Sequence, residues 1–479
     1  MIHYHRLTLV VLAAALILTS CGRRTTRESV GTKPPIYPDY KDVTVPCNIA
    51  PLDFEVAGAT HIQATAEGQN SMTLEASGKE DIQWPLEDWH KLLMQNRGKT
   101  IKVTVSVWSD SKPDGVTYKP FTIAVDGDTI DGYVSYRLLP PGYVGWNKMA
   151  IMQRDLSDFD ESVLVSNDQA SNGCVNCHTP LKGSPRDWMM HVRSKGGGTV
   201  ICQDGILSKT DISENGQSSH GTYPAWHPSG RYIVFSANEV LQAFYTHCQD
   251  KIEVFDMRSK LVIYDIARQT TKAIPQITDS LKWQTFPTFS PDGKWLYYCE
   301  APSQPTMPYN AKDTHYSILR VAFDERTGSV GSRPDTVWSA SRGGSASLPR
   351  ISPDGKWLVF AHTGFGTFAI QHREADLWLI NLSTGVAGRA SEINSAEAES
   401  FHSWSSEGRW LLYTSRRDDG RYTRLYIARF NGGRFSKPFM LPQKSPKQNH
   451  QRRFSYNVPE LMKGKVVLDK DEFARFVKP

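Results

Sequence analysis

A chain of 479 residues is too long for one small core and predicts two or three domains. Hydrophobic content of 39% with 11% aromatics is that of a globular protein, and 13 Trp with 35 Gly favour an all-β chain rich in tight turns. A formal charge of +5, with Lys and Arg spread rather than bunched, gives no footing for nucleic-acid binding.

Residues 1–20 read as an export signal. His5 and Arg6 precede an apolar run from Leu7 to Leu18 that is too short for a permanent membrane span. The run ends in Leu18-Thr19-Ser20-Cys21, which resembles the lipobox of bacterial lipoproteins. That resemblance implies cleavage before Cys21 and acylation of Cys21, hence a lipid anchor in a membrane. Residues 21–48 then read as a tether. No acidic cluster follows Cys21, which favours the periplasmic face of the outer membrane over the cell surface.

Residues 49–140 predict a small β-sandwich. Ile101-Lys-Val103-Thr-Val105-Ser-Val107 and Phe121-Thr-Ile123-Ala-Val125 alternate as half-buried strands do. Between strands, Pro85 near a start and Gly98 past an end frame one short helix. Residues 141–166 are expected to supply the first strands of the next domain, around Ile151, Gln153 and Val163-Leu-Val.

Residues 167–198 hold Cys174-Val-Asn-Cys177-His178, the C-x-x-C-H attachment signature of c-type haem. On a helical turn, two thiols three residues apart reach the two vinyl groups of one porphyrin, and His178 presents its imidazole to the iron. One covalent haem c is therefore expected in an insertion packed on the sandwich or the repeats. Met189, Met190 and His191 are candidate distal ligands, with His220 and His227 more remote. Two other uses of the pair stay open: a Cys174–Cys177 disulfide in an oxidising compartment, or a metal clip completed across the fold by Cys202, Cys248 or a nearby His. The sequence does not pair Cys47, Cys202, Cys248 and Cys299.

Residues 199–458 are repetitive. Tyr223-Pro-Ala-Trp-His-Pro-Ser-Gly230, Phe286-Pro-Thr-Phe-Ser-Pro-Asp-Gly293, Leu348-Pro-Arg-Ile-Ser-Pro-Asp-Gly355 and Phe401-His-Ser-Trp-Ser-Ser-Glu-Gly408 each join a short strand to a tight turn, and each turn leads into an apolar strand. Pro presets φ, Asp bonds back to the backbone, and Gly takes the left-handed position. Further strands such as Leu261–Asp265 and Asp376–Asn381 bring the content to about four per repeat, that of a propeller blade. Over residues 220–430 the chain resembles the TolB-type propellers, whose blades carry this Pro-Asp-Gly signature. Six blades are expected, with a closing strand near Phe454–Val458 and a C-terminal tail at 459–479. Trp226, Trp295, Trp357 and Trp410 are expected to pack between blades.

The resulting expectation is an all-β, membrane-anchored periplasmic lipoprotein. It has an N-terminal β-sandwich and a TolB-like propeller with a haem-motif insertion, and acts in mono-haem redox, electron transfer or haem binding. The alternative is a non-catalytic propeller scaffold that binds envelope proteins, as the resemblance implies, with Cys174 and Cys177 as a structural disulfide. A hydrolase is disfavoured: no G-x-S-x-G turn occurs, and Gly344-Ser345-Ala346-Ser347 reads as a loop.

Overall fold

The computed structural model describes residues 24–140, 148–214, 217–218, 221–245 and 252–477. Cys21 and the signal, His220 and Cys248 lie outside them. Among the described residues no helix is long and apolar enough to cross a membrane.

The fold is all-β and its larger part is a six-bladed propeller. The first strands of the blades touch one another in a closed ring. Blade 1 takes its innermost strand, Ser455–Met462, from the C-terminal end and the other three, Tyr133–Leu139, Ala150–Asp155 and Glu161–Ser166, from the middle of the chain. The expected closing strand therefore exists, and it runs on through Pro459 and Glu460, so the chain past 458 is not a free tail. Beyond it the helix Lys470–Val477 buries Phe473 and Val477 against blades 1 and 2.

Blades 2 to 6 are built in chain order. Their innermost strands are Cys174–Pro180, Gly221–Trp226, Lys282–Phe289, Ser345–Ile351 and Glu399–Trp404. Residues 167–198, expected as an insertion, instead supply the first two strands of blade 2, with Trp188–Arg193 paired to Cys174–Pro180. Ser345–Ser347, expected as a loop, opens the inner strand of blade 5.

The turn chemistry is local and is as anticipated. In Ser290-Pro-Asp292-Gly293, the Ser290 hydroxyl donates to Asp292 Oδ1 at 2.6 Å, the Lys294 amide donates to the same atom at 3.1 Å, and Gly293 sits at φ 73°. Ser352-Pro-Asp354-Gly355 repeats this geometry. The Trp226 indole N–H reaches across to the Thr179 carbonyl of blade 2 at 3.2 Å. Trp404 does the same to Arg350 of blade 5, so blades are joined by indole hydrogen bonds as well as by packing.

The N-terminal domain is a seven-stranded sheet with a two-stranded ribbon, Phe54–Glu55 with Asp81–Ile82. The helix Leu86–Gln95 buries Trp89, Leu92 and Leu93 against it. Part of the expected tether is ordered within this domain: Val43–Val45 pairs with Phe121–Val125, and Tyr40 and Cys47 are buried. One apolar core runs from Trp89, Val103 and Phe121 into Trp410, Ile427 and Tyr456, so the domain is seated on blades 1 and 6. Arg429 of blade 6 reinforces the seam by pairing with Asp126 and Asp128.

Candidate functional site: the axial cavity

Each innermost strand carries a bulge, where two residues are skipped in the register with the second strand. In five blades the first bulged residue is left-handed: Cys177, Tyr223, Phe286, Leu348 and Val458, with φ between 46° and 55°. None is a glycine, so each stores roughly 1–3 kcal/mol of strain, of the kind that collects at functional sites. Together with Phe401 of blade 6, these side chains ring a cavity of about 1850 Å³ on the propeller axis. Ligand pockets commonly hold about 300–1,000 Å³.

The residue after each ring position is Pro224, Pro287, Pro349 or Pro459 in four blades. In blades 2 and 6 it is His178 and His402. The C-x-x-C-H motif is thus one blade's copy of a repeated strand bulge, not the helical turn expected from its spacing. In a flat strand Cys174 and Cys177 would face opposite ways. The bulge between Asn176 and Thr179 turns Cys177 back, and Cys174, Cys177 and His178 all line the cavity. Asn176 holds this shape: its Oδ1 accepts the Cys177 amide at 2.8 Å and the Arg137 guanidinium.

His178 is buried, and neither ring nitrogen has a well-formed hydrogen bond, although the Ser135 backbone approaches as an acceptor. Burial, with the Arg137 charge adding to it, pushes the imidazole down to about 3. His402 is equally buried, with the Ser400 carbonyl 2.7 Å from Nδ1 and the Val359 carbonyl 3.2 Å from Nε2; burial lowers it to about 4, and the neutral ring donates to one of the two. Arg350 and Glu460 close the wall between the two histidines as a pair at 2.5 Å, and burial raises the Glu460 carboxyl. Arg137 and Arg193 also face the cavity beside the cysteines.

The expected distal ligands do not converge there. Met189 packs between blades 2 and 3, Met190 packs against blade 1, and His191 contacts Thr199 at 3.0 Å; none of the three lines the cavity. They alternate on a strand behind Cys174–Pro180, whose own side chains occupy the axial face. His227 serves a turn, bonded to Ser229 at 2.7 Å and to the Gly293 carbonyl at 3.1 Å. Cys174 and Cys177 are free thiols, not joined to each other, and Cys47, Cys202 and Cys299 are free and buried in separate cores. Among the described residues no group of three or more His, Cys, Asp or Glu is placed to hold a metal ion, so a clip completed by Cys202 does not form. Arg137, Arg193, Arg350, His402 and Glu460 were not singled out in the sequence. Only the pairing of His178 and His402 with the four prolines could have drawn attention to any of them.

The class of protein is defined by the fold, a six-bladed β-propeller with an axial cavity. No family model and no curated protein matches the sequence. Among solved structures the chain is similar to an oligogalacturonate lyase in complex with manganese, at 12% identity and TM-score 0.32, over 59% of this chain and 83% of that one. It is also similar to an alpha-L-arabinofuranosidase from Lactobacillus brevis, at 11% identity and TM-score 0.31, over 56% and 93%. A third is Porphyromonas gingivalis dipeptidyl peptidase 4, at 10% identity and TM-score 0.25, over 61% and 48%. Likenesses of this depth do not extend to activity.

Proposed function

We propose that the protein is a haem-binding propeller, anchored in the bacterial envelope through Cys21, whose axial cavity holds one haem c on Cys174 and Cys177 with His178 as the iron ligand. The observation that carries this reading is that both thiols and a buried imidazole lacking a well-formed hydrogen bond face one large cavity. The chain's own residues suit the task. The neighbouring Arg137 and the apolar surroundings keep His178 in the neutral form that binds metal, at any pH above about 3. Asn176 fixes the bulge that aims both sulfurs inward. When bound, the group supplies one-electron redox chemistry or an axial site for a small ligand. Met189, Met190 and His191 are turned away from the cavity, so a second iron ligand from this chain would have to come from elsewhere in its lining, where His402 is the other imidazole.

The test is expression in a host competent in haem attachment. A pyridine haemochrome spectrum and haem that stays with the chain on denaturing gels are expected, and both are lost in Cys174→Ala/Cys177→Ala. A colourless wild-type protein would sink the reading. Incorporation of labelled palmitate, absent in Cys21→Ser, tests the anchor.

A second reading, a scaffold that grips a protein partner, is favoured by the long hairpin of blade 3 at the cavity mouth. That hairpin leaves Val240, Leu241, Phe244 and Met257 exposed.

A further inference from the structure

The cavity wall contains a charge that no acidic side chain among the described residues pairs with. Arg137, in the second strand of blade 1, is 8% exposed. Among the described residues its side chain bonds only to the uncharged Asn176, and its Nε has no partner there. Arg193, on the second strand of blade 2, is close enough for the two guanidinium charges to oppose each other, and its Nε is also unpartnered. Among the described residues neither forms an ion pair. Of the other cavity charges, Arg350 pairs with Glu460, Arg417 with Glu399, Glu397 with Arg373 and Glu239 with Arg258, while Asp419 accepts from the backbone amides of Arg421 and Tyr422. The neighbouring thiol of Cys174 does not supply the missing charge, because burial, against the pull of both arginines, raises it above its ordinary value.

Burying one uncompensated guanidinium is expensive, and placing a second beside it is more so. An anion seated between the two would offset that cost. Two guanidinium forks on one wall match the planar or tetrahedral oxygens of a carboxylate or phosphate. Tyr223 adjoins both arginines and packs on Phe286 at a ring separation of 4.1 Å, so the surface next to the charge is aromatic.

We infer that Arg137 and Arg193 form an oxyanion site in the axial cavity, taking the carboxylate or phosphate head of an organic anion whose apolar body lies against Tyr223 and Phe286. The site does not depend on haem.

The experiment is calorimetric titration of the full chain with 2-naphthoate, 2-naphthyl phosphate and neutral 2-naphthamide. It is run on protein made without haem attachment and repeated on haem-loaded protein if that forms. One equivalent of an anionic probe is expected to bind, with the naphthoate-to-phosphate ratio identifying the preferred head group. Arg137→Met and Arg193→Met should each weaken binding by at least about tenfold, since each removes charge-assisted hydrogen bonds. Arg421→Met, an exposed charge on the same cavity, should leave it within about twofold. Wild-type protein should also melt at a higher temperature with naphthoate, and the two variants, if folded, should not. Binding of naphthamide as tight as naphthoate, or equal loss in all three variants, would overturn the site, as would absence of anion binding in both forms. A colourless protein that binds naphthoate removes the haem and keeps the site; a coloured protein that binds no anion does the reverse.

Discussion

Asn176 and Asn457 stand at the same step of adjoining blades, and each lends its Oδ1 to the amide of the left-handed residue that follows, at 2.8 Å for Cys177 and 3.0 Å for Val458. Asn176 has the further duty of accepting from Arg137. Asn176→Ala should therefore destabilise by about 1–3 kcal/mol, because a buried charged donor loses its partner as well. Asn457→Ala should cost about 1 kcal/mol. Denaturant unfolding of the two variants side by side gives the difference, and equal losses would show that Arg137 takes no support from Asn176. At this scale Cys174, Cys177 and His178 were legible in the sequence because their chemistry is packed into five residues. Arg137, Arg193, Arg350 and Glu460 were not, because they reach the axis from three blades and from distant parts of the chain, and no local pattern joins them.

Among the elements, the hairpin of blade 3, Tyr232–Phe244 with Ile252–Asp265, is the longest. It reaches blade 5, where His372 lies between Glu253 of the hairpin at 2.7 Å and Glu374 at 3.0 Å. Burial disfavours a charged imidazole there, but hydrogen bonds to the two carboxylates outweigh it and raise His372 to about 9. The folded state holds the protonated ring more tightly than the unfolded chain does. The contribution is therefore complete below the ordinary 6.5 and is lost as pH rises through about 9. Protease cleavage of the hairpin in wild type should accelerate over that interval. His372→Gln should be cleaved at least about tenfold faster at neutral pH, the factor that corresponds to about 1.4 kcal/mol of easier opening. A flat wild-type profile between pH 7 and 10 would remove the clasp. Blades 3 to 6 were legible because Pro-Asp-Gly and its variants are short-range chemistry. Blade 2 was hidden by its own turn: Leu181-Lys182-Gly183 lacks the aspartate, and C-x-x-C-H directs the reader toward a helix. Local spacing could not show that a strand bulge would gather the same three side chains.

For the whole molecule, the decisive contact is between the two ends of the propeller. Ser455–Met462 lies beside Tyr133–Leu139 in blade 1 and adjoins the inner strands of blades 2 and 6. A chain stopped before Ser455 should lose its cooperative thermal transition, since Tyr133–Leu139 of blade 1 is left with a bare edge and the inner strands of blades 2 and 6 lose the neighbour between them. A chain stopped after Lys463 keeps the ring and loses Val466, bonded to Gln153 of blade 1, with the helix that buries Phe473 and Val477, so it should melt cooperatively at a lower temperature. Retention of a sharp transition in the shorter form would show that the ring does not need its last strand.

That closure sets an order of events during synthesis. The strand bearing Cys174, Cys177 and His178 is made nearly three hundred residues before the one that shuts the neighbouring seam. Before Ser455–Met462 is in place, the inner strand of blade 2 lacks its neighbour on that side, and the two thiols are not walled in there. Once Ser455–Met462 drops in, entry is confined to the axis. Any enzyme that must handle both sulfurs therefore has its widest access before the chain is finished, and whatever is fixed there is afterwards walled in by the last piece of protein to arrive.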